Sequence, residues 1–167
     1  IYSPACAKNC IAVGATEGPL QNMGTRATWA ALDPTARRWR VPADRADMVS
    51  GEADRMAPIS SAGPTVDGRT KPDLCAPGIN LPSTRSRATA AQGWGLANPM
   101  PFYMYDGGTS MAAPMVTGAL ALLRQAWRRT GRKPSGAALK ALALLGCTPV
   151  RGRDGQRAAT SEAGYGG

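Results

Sequence analysis

At 167 residues and 43% hydrophobic content, the chain suits one domain, or a large part of one, with an Ala-, Leu- and Val-rich core. Twenty Lys and Arg against 11 Asp and Glu leave a formal charge of +9, and histidine is absent. No stretch approaches the roughly 18 apolar residues of a membrane span, and Ile1-Tyr2-Ser3-Pro4 has neither the basic head nor the apolar run of a signal peptide. The missing initiator Met fits a fragment or a processed chain.

In chain order, Cys10-Ile11-Ala12-Val13-Gly14-Ala15 is a short continuous apolar run and reads as a buried strand. Residues 17–55 are irregular, broken by Gly18-Pro19, Asp33-Pro34 and Val41-Pro42, and read as loops or an insertion. Ser60-Ser61-Ala62-Gly63-Pro64 is a turn segment, and Asp67-Gly68 and Lys71-Pro72 tighten the chain further. Leu74-Cys75-Ala76, stopped by Pro77-Gly78, is a second buried strand. Residues 85–100 read as surface loop.

From Thr109 the pattern turns helical. Ala112, Ala113, Val116, Ala119, Leu120, Leu123 and Trp127 recur at period 3.6 until Gly131. Pro134-Ser135 opens another helix with Ala138, Leu139, Leu142 and Leu145 on one face, closed by Gly146 and Pro149. Short apolar strands followed by helices predict an α/β layered fold. The strands are expected to belong to a parallel sheet whose remaining strands lie upstream, leaving Ile11, Val13 and Leu74 exposed and ladder groups unpaired in their absence.

Cys6 and Cys10 form a C-x3-C pair with no second pair and no His, so no zinc site is expected. A disulfide and buried free thiols both remain open. The denser basic clusters are Arg37-Arg38-Trp39-Arg40 and Arg128-Arg129 with Arg132-Lys133. The second follows a predicted helix, where cations complement the dipole. Neither comes with a nucleic-acid motif, so no nucleic-acid partner is expected, although a basic binding domain is the third reading weighed.

The run Gly107-Gly108-Thr109-Ser110-Met111-Ala112-Ala113-Pro114 opens the long helix. A serine there sits among unpaired N–H groups at the positive end of the dipole. The Ser110 N–H is placed to hold a developing oxyanion, and the two glycines allow close approach of a substrate. On Gly-Thr-Ser alone, the plainer reading is that Thr109 or Ser110 is an ordinary N-cap.

The longer run resembles the serine segment of the subtilisin-like serine proteases, the subtilases, continuing through Met115-Val116-Thr117-Gly118-Ala119-Leu120. Two upstream blocks resemble the same family in order. One is Ser3-Pro4-Ala5 through Ala7 to Ala15, similar to the strand after the S1-pocket turn. The other is Ser60 to Thr65 with Asp67 to Gly78. Pro134-Ser135 to Cys147 and Gly164-Tyr165-Gly166 resemble the closing helix and final turn. Residues 17–55 do not match well.

The resemblance implies part of a three-layer fold with a mostly parallel sheet flanked by helices. Residues 1–167 would be the C-terminal portion of a catalytic domain, with 17–55 as a loop or insertion. It implies a serine endopeptidase with Ser110 as nucleophile and its backbone N–H in the oxyanion hole. Ser3, Pro4, Gly108, Thr109 and Met111 would lie near a polypeptide substrate. The triad needs an imidazole, and this chain has none. The family's Asp, His and oxyanion Asn blocks fall upstream, so the missing N-terminal part of the same catalytic domain is the expected partner. Asp73 and Asp106 therefore do not inherit the triad role. Asp73 is expected to cap a turn beside Pro72, and Asp106 is weighed as a group orienting the serine loop. No metal site and no required cofactor follow; a structural calcium is assignable to no residue. An extracellular location is implied. The rival reading is a non-catalytic fragment or a pseudoprotease binding module.

Overall fold

A computed structural model describes residues 1–19, 24–32 and 46–167. Its elements run β1 (Val13–Thr16), α1 (Trp29–Leu32), β2 (Leu74–Pro77), β3 (Leu81–Thr84), β4 (Tyr103–Asp106), α2 (Thr109–Arg128), α3 (Gly136–Leu145) and α4 (Thr160–Ala163). The arrangement is α/β, as the sequence predicts. Of the two basic clusters, Arg37 to Arg40 lies outside the described residues.

β1 and β2 pair in parallel, with Val13 opposite Leu74 and Thr16 opposite Pro77. Both are continuous apolar runs, the pattern of strands covered on both faces. Helix α2 packs against both. Part of each edge is taken up as well, so the expectation of unpaired ladder groups is corrected at those positions. On the β2 side the C-terminal segment runs alongside: the Tyr165 N–H donates to the Asp73 carbonyl at 3.0 Å and the Cys75 N–H to the Gly166 carbonyl at 2.8 Å. On the β1 side the Ala57 N–H donates to the Ala15 carbonyl at 3.0 Å, and the Ala15 N–H to Ser60 Oγ at 3.1 Å. Leu74 is buried, and Ile11 and Val13 are half-buried rather than exposed. Segments distant in sequence, residues 57–60 and 165–166, have taken up these groups.

The main core joins Ala15, Trp29, Val49, Ala57, Ile79 and Ala112. Trp29 and Val49 fall within the span read as loop or insertion, yet both are fully buried. Trp29 meets Trp94 edge-to-face, with centroids 6.1 Å apart and planes at 87°. Asn80 fastens the same span from the other side. Its Oδ1 accepts from the Thr25 N–H at 3.0 Å and its Nδ2 donates to Ser50 Oγ at 3.0 Å.

β3 and β4 form an antiparallel hairpin, Leu81 opposite Asp106 and Thr84 opposite Tyr103. The sequence reading contained neither strand. Pro82 interrupts one, and the other, Tyr-Met-Tyr-Asp, is short and runs straight into glycines. Residues 94–97 pair with the second edge of β4 through Trp94 N–H to the Tyr105 carbonyl and Tyr105 N–H to the Gly95 carbonyl, both 2.8 Å.

Helix α3 starts where the sequence places it. Ser135 is its N-cap and accepts from the Ala138 N–H at 3.1 Å. Gly146 closes it. Leu145, expected on the buried face, is instead 83% exposed at the last helical position; Leu139, Leu142 and Ala143 turn inward.

Asp73 sits at the amino end of β2 and is buried. Its Oδ2 lies 2.6 Å from Lys71 Nζ and 2.7 Å from the Ala12 N–H, while its Oδ1 lies 2.6 Å from Lys140 Nζ. Both ammonium groups also donate to the Cys10 carbonyl, at 3.2 and 3.0 Å. Burial pushes the Asp73 carboxyl up. The hydrogen bonds from Lys140 and Lys71 outweigh it and hold the group below the usual carboxylate value. The structural role expected for Asp73 is thus an ion-pair hub that joins the start of β1, β2 and α3, not a turn cap.

Asp73→Asn should leave the Lys71 ammonium, 2% exposed, without its counter-charge and cost about 3–5 kcal/mol. Because the folded carboxyl ionises more readily than the unfolded one, its contribution is complete above about pH 4 and fades as pH falls through the lowered folded value. Thermal melts from neutral to acid pH should show a lower Tm for the variant at neutral pH and a flatter decline in acid. A variant with the wild-type Tm would refute the assignment.

Candidate active site

β4 ends at Asp106, two glycines follow, and α2 begins at Thr109. Three contacts aim this turn. The Gly108 N–H donates to the Gly78 carbonyl at 2.7 Å, which ties the turn to the carboxyl end of β2. Asp106 Oδ1 accepts from the Gly107 N–H at 2.8 Å, so the carboxylate does brace the loop. The Trp94 ring lies against Gly107, where a Cβ would collide with it.

Gly78 is as constrained. A Cβ there would stand 2.7 Å from the Gly108 carbonyl oxygen, 2.8 Å from Ala15 Cβ and 3.0 Å from Ala112 Cβ. The sequence marks Pro77-Gly78 only as the end of a strand. The need for glycine comes from α2 lying directly on β2 through the small residues Ala15 and Ala112.

Ser110 is the second residue of α2 and is exposed. The N-cap is Gly108, with no side-chain cap bond. The plain capping reading of Thr109 or Ser110 is therefore overturned: neither hydroxyl caps the helix. Met111 and Ala112 N–H both donate to the Gly108 carbonyl, at 3.0 and 3.3 Å. The Thr109 and Ser110 N–H groups have no acceptor among the described residues, and no acidic residue sits in the first turn. Ser110 thus presents a free hydroxyl beside unpaired donors at the positive end of a 20-residue helix. Met111 is half-buried, its Sδ 3.7 Å from where a Gly108 Cβ would be. Its thioether lies over the backbone just before the serine.

Ser3 and Pro4 lie in an exposed turn. The turn is closed by the Cys6 N–H donating to the Tyr2 carbonyl at 3.2 Å and by the Cys10 thiol donating to the Ala7 carbonyl at 3.2 Å. Gly108, Thr109, Ser110 and Met111 share the turn that opens α2; no hydrogen bond links Ser3 or Pro4 to it.

Asp73 stands at the opposite end of β2 from Gly78. Four strand residues separate them, five residue rises or about 16 Å, so its charge serves the fold and not the serine. The four cysteines are free thiols, and Cys10 lies in a turn rather than the predicted strand. Burial, reinforced by the neighbouring Cys147, pushes the Cys75 thiol up to about 12, which leaves it unreactive. Among the described residues, no group of three or more His, Cys, Asp or Glu is placed to hold a metal ion.

Gly78→Ala should drive the serine turn off β2 and cost about 1–3 kcal/mol by overpacking. Gly136→Ala is the control for inserting a methyl group, since nothing lies within 4 Å of its Cβ position and its backbone suits any residue. Urea melts of the two variants check this: a smaller loss at Gly78 than at Gly136 would refute the packing argument.

The sequence profile of the subtilase family matches residues 1–166. The chain is 39% identical over 105 residues to the serine protease/ABC transporter B family protein tagB of Dictyostelium discoideum, which covers 54% of this chain and 6% of that protein. It is 39% identical over 83 residues to the serine protease AprX of Bacillus subtilis, 49% of this chain and 19% of AprX. With the subtilisin-like protease SBT5.5 of Arabidopsis thaliana it shares 41% over 73 residues, 42% of this chain and 9% of that protein. The chain thus spans a minor part of each relative. A family profile matched from end to end, on a parallel α/β frame that carries an uncapped serine at the head of its long helix, makes this chain a member of the subtilase family.

Proposed function

We propose that this chain is the serine-bearing part of a peptide-bond hydrolase, with Ser110 as the nucleophile. The observation that carries the reading is the exposed Ser110 hydroxyl, which caps nothing and stands beside an unpaired N–H of its own. Ser110 Oγ would attack the scissile carbonyl of a polypeptide. The Ser110 N–H would hold the oxyanion, joined by an Asn from outside the chain. The proton leaving Oγ needs an imidazole, and the 167 residues contain no histidine. The base and the Asp that orients it would come from the N-terminal part of the same catalytic domain, docked at the carboxyl end of the parallel strands.

Gly108 and Thr109 would line the approach of the substrate, and Met111 would flank its leaving side. Ser3 and Pro4 would reach the P1 side chain only through the assembled domain. No cofactor takes part in this chemistry. The reaction would take place outside the cell. The rival, a binding module without chemistry, requires the same fold but no use for a free Ser110 hydroxyl.

The chain alone should show no Ser110-dependent peptidase turnover. Supplied with the His- and Asp-bearing part, it should be labelled by a fluorophosphonate at Ser110 and at no other serine. Ser110→Ala in the assembled enzyme should lower kcat by about 10⁶. Turnover by the chain alone, abolished by Ser110→Ala, would refute the need for an external base; labelling of another serine would remove Ser110 from its role.

Peroxide should convert Met111 to the bulkier sulfoxide and slow the assembled enzyme without unfolding it. Mass spectrometry alongside activity decides this. Full activity with Met111 fully oxidised would reject its place at the site.

A further inference from the structure

Charge is segregated along this chain. Every charged side chain between Asp106 and Asp154 is a lysine or an arginine. Several cations elsewhere are paired: Arg55 contacts Glu17, Asp47 and Glu52, Arg151 contacts Glu52 and Asp54, and Arg69 contacts Asp67. At the end of α2 they are not. Arg124, Arg128 and Arg129 line a shallow groove of about 500 Å³ with Ala121 and Gln125. Arg132 and Lys133 follow directly. All five cations are exposed, and among the described residues none takes part in an ion pair.

The helix dipole accounts for a cation or two in the last turn. It does not account for Arg124, which stands more than a full turn from the helix end and one turn from Arg128, where like charges repel. We propose that this groove is a docking surface for an acidic segment of a separate polypeptide.

The geometry fits carboxylates. Arg124 and Arg128 are one turn apart on one helix, about 6 Å between Cβ atoms, and each guanidinium presents a planar fork to a carboxylate. Leu122, 68% exposed beside the groove, offers contact to an apolar side chain of the same peptide. Trp127, the one ring among these cations, is half-buried rather than exposed as a stacking platform, and no nucleic-acid-binding motif accompanies them. The groove is separate from the serine. At 1.5 Å per helical residue, Arg124 to Arg128 lie about 21–27 Å from Ser110 along α2. The surface would hold a partner while leaving the head of the helix free, whether or not the site is catalytic.

Fluorescence anisotropy with a labelled oligo-glutamate peptide tests this, with a Gly-Ser peptide of equal length, a DNA duplex and phosphatidylserine vesicles as competitors. The acidic peptide should bind, and binding should weaken as salt rises. Arg124→Gln with Arg128→Gln should lower its affinity about tenfold. Lys8→Gln with Arg26→Gln removes the same charge elsewhere and should leave affinity within about twofold. Circular dichroism confirms that both double variants keep their helix content. Equal losses in the two double variants would reduce the effect to net charge and overturn the proposal. Tighter binding of the duplex or the vesicles through the same arginines would overturn it too, as would self-association of the chain through this face.

Discussion

At the foot of the parallel sheet, one buried carboxylate is shared by two ammonium groups. Asp73 receives Lys71 from its own segment, Lys140 from α3 and the Ala12 N–H from the start of β1. Each partner comes from a different stretch of chain, so the cluster forms only when all three are in place. A lysine as buried as Lys71 is tolerable only beside an opposite charge. The Cys10 carbonyl accepts a further hydrogen bond from each of the two lysines. With this end pinned, the direction and register of β1 and β2 follow, and with them the position of everything at the far end.

That far end carries the serine. Gly78, at the exit of β2, packs against Gly108, Ala15 and Ala112, so α2 lies on the sheet with only small side chains between them. The Gly108 N–H to Gly78 carbonyl bond sets where the helix begins, and the start of the helix sets where Ser110 points. Trp94 closes the turn from above and leans on Trp29, whose own segment is held by Asn80 and Val49. A span without regular pattern thereby becomes part of the support of the site. Reactive groups at the carboxyl ends of parallel strands, at the head of a helix, gain unpaired backbone donors without added side chains.

Helix α2 has two characters. Its first turns are apolar on the inner face and also outside, where Met115 and Leu122 are 51% and 68% exposed. A helix apolar on all sides is built for burial. Along its inner edge, Val116, Leu120 and Leu123 line an apolar groove with Leu74, Leu142 and Cys147. Its last turns are basic and wet. One end of the element is shaped for contact with apolar protein surface, the other for contact with charge.

The sequence by itself determined the two parallel strands, the two long helices, the Ser135 and Gly146 caps and the place of Ser110 at the head of α2. These are local matters: an apolar run, a period of 3.6, a hydroxyl before a helix and a run of residues that resembles a family's serine segment are all written in neighbouring positions. Tertiary structure decided the rest. Asp73 became an ion-pair hub because Lys140 arrives from 67 residues away. Gly78 is required because α2 and β2 meet there with only small side chains between them. The β3–β4 hairpin formed despite Pro82 because residues 94–97 complete its other edge. Trp29 and Val49 entered the core from a stretch with no periodicity, since burial depends on what packs against a residue and not on its neighbours in sequence. Leu145 went the other way: its helical spacing was right, but at the end of α3 nothing lies opposite it, and an apolar side chain with no facing surface stays in water.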